Sequence, residues 1–96
     1  MKKIEIEVLS EKTNCPVVQI PGRQFPGVVI QGDSLKNLLN LSEEIALLAK
    51  GAASEGLMET ASELNELLAG YVSNYESTMQ NCGKELPYPK ERKTEK

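Results

Sequence analysis

Ninety-six residues, 40% hydrophobic and 26% charged, describe one globular domain rather than a disordered or fibrous chain. Histidine is absent and aromatics are only 4%, which removes the usual neutral-pH base and the commonest metal ligand. The net charge of −3 argues against general affinity for nucleic acid or an anionic membrane.

Ile4, Ile6 and Val8 alternate with Lys3, Glu5 and Glu7, the period of a half-buried strand. Val17-Val18-Gln19-Ile20 reads as a second strand, stopped by Pro21-Gly22. Val28-Val29-Ile30-Gln31 reads as a third, entered through Pro26-Gly27 and left through Gly32-Asp33. The loop from Gly22 to Gly27 suits an antiparallel hairpin with a longer connection.

The period then changes. Asp33 or Ser34 is a natural N-cap for a helix over about 34–50, with Lys50-Gly51 as its close. Leu35, Leu38, Leu39, Ser42, Ile45, Leu48, Ala49 and Ala52 mark one face. Leu41 and Leu47 widen that face, so this helix is expected to be the more deeply buried of the two. A second helix, about 55–82, carries a seam of Leu57, Ala61, Leu64, Leu68, Tyr71, Tyr75, Met79 and Cys82, closed by Gly83. Gly70 interrupts it and marks a bend or a close contact. Residues 84–96 lack any period and are expected to be mobile unless Leu86 and Tyr88 dock. The predicted fold is α+β: a three-stranded antiparallel sheet packed by one helix, then a long amphipathic helix. Residues 1–83 form the domain and 84–96 a flexible tail.

No run approaches the roughly 20 apolar residues of a membrane span, and the N-terminus has no apolar leader pattern. Cys15 and Cys82 lie 67 positions apart without a CxxC spacing, as suits two unlinked thiols in a reduced compartment, though a bridge stays open. The expected location is the cytoplasm.

The ββα stretch reads Val17-Val18-Gln19-Ile20-Pro21-Gly22, then Phe25-Pro26-Gly27-Val28-Val29-Ile30-Gln31-Gly32-Asp33-Ser34-Leu35, then a Leu-rich helix. Over residues 15–50 this resembles the core of HicB-like antitoxins. There a strand ends at Pro-Gly and a Gly-Asp-Ser/Thr-Leu turn caps a helix. The resemblance implies a bacterial protein that binds a toxin. Asn37-Leu38 stands where HicB-like chains often have Glu-Ala. An acidic helix takes the place of their DNA-binding segment, so operator binding does not carry over. The same block also looks like a small uncharacterised bacterial family.

No catalytic constellation emerges. Cys15 has no histidine to take its proton, and the adjacent Glu43 and Glu44 point about 100° apart on a helix. The loop from Gly22 to Gly27 lacks the Lys-Ser/Thr of a P-loop. No cofactor or metal is expected.

Residues 33–83 carry two basic and eight acidic side chains. Four of the acidic ones, Glu55, Glu59, Glu63 and Glu66, form one stripe on the second helix, opposite its apolar seam. The stripe is either a solvated face or a surface for a basic partner such as an RNA-cleaving toxin. Arg23 and Phe25, at a loop tip, are the second candidate contact, with Phe25 tucked under the hairpin as the alternative. A 28-residue helix spans about 42 Å, more than a small sheet covers, so Tyr71, Tyr75 and Met79 are candidates for self-association as a homodimer. The expected function is non-enzymatic: an antitoxin-like or immunity-like inhibitor acting on a protein partner. The alternative is a homo-oligomeric small-ligand-binding or regulatory module.

Overall fold

A computed structural model describes residues 2–89. The chain is α+β, in the order β1 (Glu7–Ser10), β2 (Val17–Gln19), β3 (Gly27–Val28), α1 (Gly32–Lys50) and α2 (Glu55–Asn81). It divides into two compact units between Gln31 and Gly32.

The first unit is an antiparallel meander in the order β1-β2-β3. Val8 faces Val18 and Ser10 faces Val17, which leaves Leu9 as the extra residue of a β-bulge. Chain reversal after β2 is a type II turn: Arg23 N–H donates to the Ile20 carbonyl at 3.1 Å. Pro21 supplies the fixed φ of its second position, and Gly22 supplies φ 87 at its third. That turn displaces the first strand from the predicted alternation: Ile4 and Ile6 fall before it, it runs on to Ser10, and Ile4, Ile6 and Val8 are exposed rather than half-buried. Residues opposite Ile4 and Ile6 would belong to the turn, so pairing starts only at Glu7↔Gln19. β3 is shorter than its predicted run. Val29 N–H reaches the Pro16 carbonyl at 3.0 Å, and Pro16 has no N–H with which to continue the ladder.

The second unit is an antiparallel helical hairpin. Gly32, at the start of α1, lies against the Tyr75 ring near the end of α2, and Asn65 bonds Ser42 midway. Its buried residues are Gly32, Leu39, Ser42 and Ala49 from α1, with Ala61 and Val72 from α2. Four of these six are Gly, Ser or Ala, which allows the helices to approach closely.

α1 begins at Gly32, two residues before the predicted start, and Asp33 is in its first turn rather than at its cap. The Tyr75 ring packs on the Gly32 backbone and holds it in helical geometry. Asp33 Oδ1 accepts from Ser34 N–H at 2.7 Å, a carboxylate placed where the helix dipole favours it. α1 is the more deeply buried of the two helices, with four buried residues in 19 against two in 27 for α2, but much of its predicted apolar face is bare. Within its unit α1 has one neighbour, so only one face is covered. Leu38, Leu41 and Ile45 are exposed, and Leu47 and Leu48 are 66% and 73% exposed.

At the end of α1, Gly51 and Ala52 N–H groups reach back to the Leu48 and Ala49 carbonyls. The left-handed position falls on Ala53, φ 52, rather than on Gly51. α2 matches its predicted span closely. Ser54 caps it by accepting from Leu57 N–H at 3.3 Å. Gly83, φ 70, ends it in a Schellman motif, with Gly83 N–H on the Gln80 carbonyl and Lys84 N–H on the Met79 carbonyl. Gly70 marks no close contact: the helix continues through it, and a Cβ there would meet nothing within 4 Å.

A Cβ added at Gly32 would fall inside the Tyr75 ring. Gly32→Ala therefore lowers stability by about 1–2 kcal/mol once the overpacking outweighs the gain in helix propensity. Gly70→Ala raises it by about 1 kcal/mol, a Tm increase of roughly 4–8 °C. Thermal melts of the two variants check the opposite signs.

Candidate functional site

Glu55, Glu59, Glu63 and Glu66 all lie exposed along α2, at spacings of 4, 4 and 3. None of the four is in an ion pair or hydrogen bond among the described residues. Four like charges in a row with no interleaved cation cost the helix a few tenths of a kcal/mol per pair. The stripe thus presents a negative field that no cation among the described residues pairs with.

The second candidate contact is also exposed. Phe25 is 72% exposed at the loop after β2 rather than tucked beneath it. The loop base is held by Gln19, whose Nε2 donates to the Arg23 carbonyl at 2.9 Å and to that of Ile20 at 3.3 Å. This arrangement fixes the loop's stem while leaving its tip in solvent, as suits an aromatic anchor. The Arg23–Phe25 loop belongs to the sheet unit and the acidic stripe to the helical unit.

Of the three residues expected to self-associate, Tyr71 is 58% exposed. Tyr75 and Met79 are half-buried. Tyr75 is committed to Gly32.

Sequence reasoning did not find the two polar clusters that hold the hairpin. Ser42, 1% exposed, donates Oγ–H to the Leu39 carbonyl at 2.8 Å and accepts from Asn65 Nδ2 at 3.0 Å. This chain of bonds satisfies a buried hydroxyl and fixes the register of the two helices. The available signal was Ser42 within the apolar face of α1; Asn65 lies beside the predicted seam of α2 rather than in it.

The other cluster joins Lys36, Glu76 and Tyr88. Tyr88 Oη donates to Glu76 Oε2 at 3.0 Å, and Lys36 Nζ lies 3.9 Å from the same oxygen. Lys36 Nζ also sits 5.4 Å from the Tyr88 ring centroid, within cation–π range. Residues 84–89 of the predicted mobile tail are therefore docked; residues 90–96 lie outside the described residues. Burial, then the hydrogen bond and the charge of Glu76, push the Tyr88 phenol up to about 12.

Both thiols are free, Cys15 half-buried and Cys82 exposed. Among the described residues no group of three His, Cys, Asp or Glu side chains could hold a metal ion. An open depression of about 340 Å³ on the sheet unit is lined by Glu5, Ile6, Glu7, Gln19 and Pro21, which includes no nucleophile and no cation. No helix of the described residues is long and apolar enough to cross a membrane.

Residues 1–88 match a family described as "Family of unknown function (DUF6959)", so the chain belongs to that family. No curated protein and no solved structure matches it.

The Tyr88 cluster has a pH signature. The folded protein keeps this phenol protonated up to about 12, whereas the ordinary value is 10.0. Its contribution to stability is fully present below pH 10 and is lost as pH rises from 10 through 12. Ultraviolet titration of phenolate should show one late step near pH 12 that is absent in Tyr88→Phe.

Proposed function

We propose that this member of the family is a non-enzymatic, cytoplasmic protein-binding module, an antitoxin-like or immunity-like inhibitor. It covers the active surface of a basic toxin. The observation that carries the reading is the row of four exposed carboxylates on α2, none of them paired among the described residues. A surface that cuts or grips nucleic acid is positive, and a row of fixed negative charge complements it. Such complementarity speeds encounter and rejects wrong partners. The HicB-like resemblance over residues 15–50 supplies the toxin as the class of target, and Phe25 with Arg23 supplies an anchor of the kind enriched in hot spots. Neutralisation on this reading is steric and electrostatic and requires no cofactor.

A second reading, a homo-oligomeric module that binds a small ligand or regulates a neighbouring protein, is favoured by the exposed apolar side chains of α1 and α2.

Affinity capture of the tagged chain from its host, followed by mass spectrometry, tests the first. A single stoichiometric basic partner is expected at about 0.05 M salt and lost at about 0.5 M, where charges are screened within a few ångströms. Glu59→Ala and Glu63→Ala should each weaken that complex by up to about fivefold at low salt, the span of an exposed ion pair. They should also flatten its salt dependence. Unchanged low-salt affinity in the double variant removes the stripe from the mechanism.

A further inference from the structure

We infer that the helical hairpin docks a second copy of this chain through an apolar face built from both helices, forming a four-helix dimer. On α1, Leu38, Leu41, Ile45 and Leu48 are spaced 3, 4 and 3 and are 41% to 73% exposed. They line up about 100° from the face of Leu39, Ser42 and Ala49 that packs on α2. On α2, Leu57, Leu64, Leu67 and Tyr71 are spaced 7, 3 and 4 and are 42% to 58% exposed. They too are turned away from their packed neighbours Ala61 and Val72, by about 80° and in the same rotational sense.

Handedness then decides where the two stripes lie. Equal turns in the same sense on two facing helices place the stripes on opposite sides if the helices run parallel. They place them on the same side if the helices run antiparallel. The Gly32–Tyr75 contact and the Asn65–Ser42 bond make this pair antiparallel. Both stripes therefore share one side of the hairpin, and no charged residue falls between them on either helix.

Three considerations make the occupant a second copy. The eight side chains present roughly 700 Å² of accessible surface, close to the ~800 Å² per partner of a stable interface. Two antiparallel apolar stripes side by side are half of a four-helix bundle, and a two-fold copy supplies the other half, apolar against apolar. The hairpin also buries only two large apolar side chains, Leu39 and Val72, among its fully covered residues. A cover present at equal concentration wherever the chain is made completes that thin core. Glu44 and Glu63 follow on the outer edges of the face, so a copy brings acidic rim near acidic rim. Salt should therefore tighten this association, the reverse of its effect on a basic partner.

Sedimentation equilibrium of the full chain tests the inference. The expected mass is twice the chain's 10.6 kDa, with a dissociation constant that falls at least twofold between about 0.05 and 0.5 M salt. Leu41→Glu and Leu64→Glu, both at positions exposed within the chain, should shift the mass to that of the monomer while circular dichroism shows helix retained. Leu47→Glu, exposed on the other side of α1, should leave the dimer intact. A wild-type monomer at about 100 µM overturns the inference, whether or not that monomer captures another protein. So does equal dissociation by Leu41→Glu and Leu47→Glu.

Discussion

Two packed helices come as close as their smallest facing residues allow, and the helical unit depends on how close that is. Gly32, Ser42, Ala49 and Ala61 are the small residues of the seam. They bring α1 and α2 near enough for Asn65 to reach Ser42 and for the Tyr75 ring to lie on bare backbone. A seam of Leu on Leu would bury more area but would hold the helices apart. It would also let them slide by a turn with little change in energy. Here a one-turn slide breaks the Asn65–Ser42 bond, leaves a buried hydroxyl without its donor and drives the Tyr75 ring into a Cβ. The polar bond and the glycine contribute specificity of register more than they contribute affinity.

The close approach also divides α2 by face. One line of residues packs on α1, a neighbouring line of Leu and Tyr remains bare, and the side away from α1 carries four carboxylates. Hydrophobic and electrostatic surfaces are thereby kept on separate sides of one helix. Contacts made through one side need not compete with contacts made through the other. The docked residues 84–89 lie where Tyr88 ties Glu76 and Lys36 together, with Gly83 providing the reversal that returns the chain to the hairpin.

Much of this was legible in the residues. Alternating and β-branched runs placed three strands, Pro21-Gly22 placed the turn, and Ser54 and Gly83 bounded α2 almost to the residue. Local chemistry controls those features, and a sequence displays local chemistry directly. Which stripe of α1 is covered was not legible. Periodicity marks which side chains are apolar, but the neighbour chooses which of two adjacent apolar stripes is covered, as the exposed Leu48 and covered Ala49 show. The start of α1 was misplaced for a related reason. A capping residue is visible at Asp33, whereas the ring that extends the helix to Gly32 comes from 43 positions away. Asn65 escaped notice because its partner lies on another segment, and no spacing announces a bond across 23 residues; for Tyr88 the sequence offered the docking side chain but not its partners Glu76 and Lys36. The acidic stripe was fully legible, since only exposure had to be added to its spacing.

The strand order follows the chain order, and the two helices are likewise consecutive. Every pairing thus joins neighbours in sequence across a short connection, so little loop entropy is lost before contacts form. Topologies of this kind fold in microseconds to milliseconds rather than seconds. The search for its own fold is then short compared with any encounter between molecules at cellular concentrations.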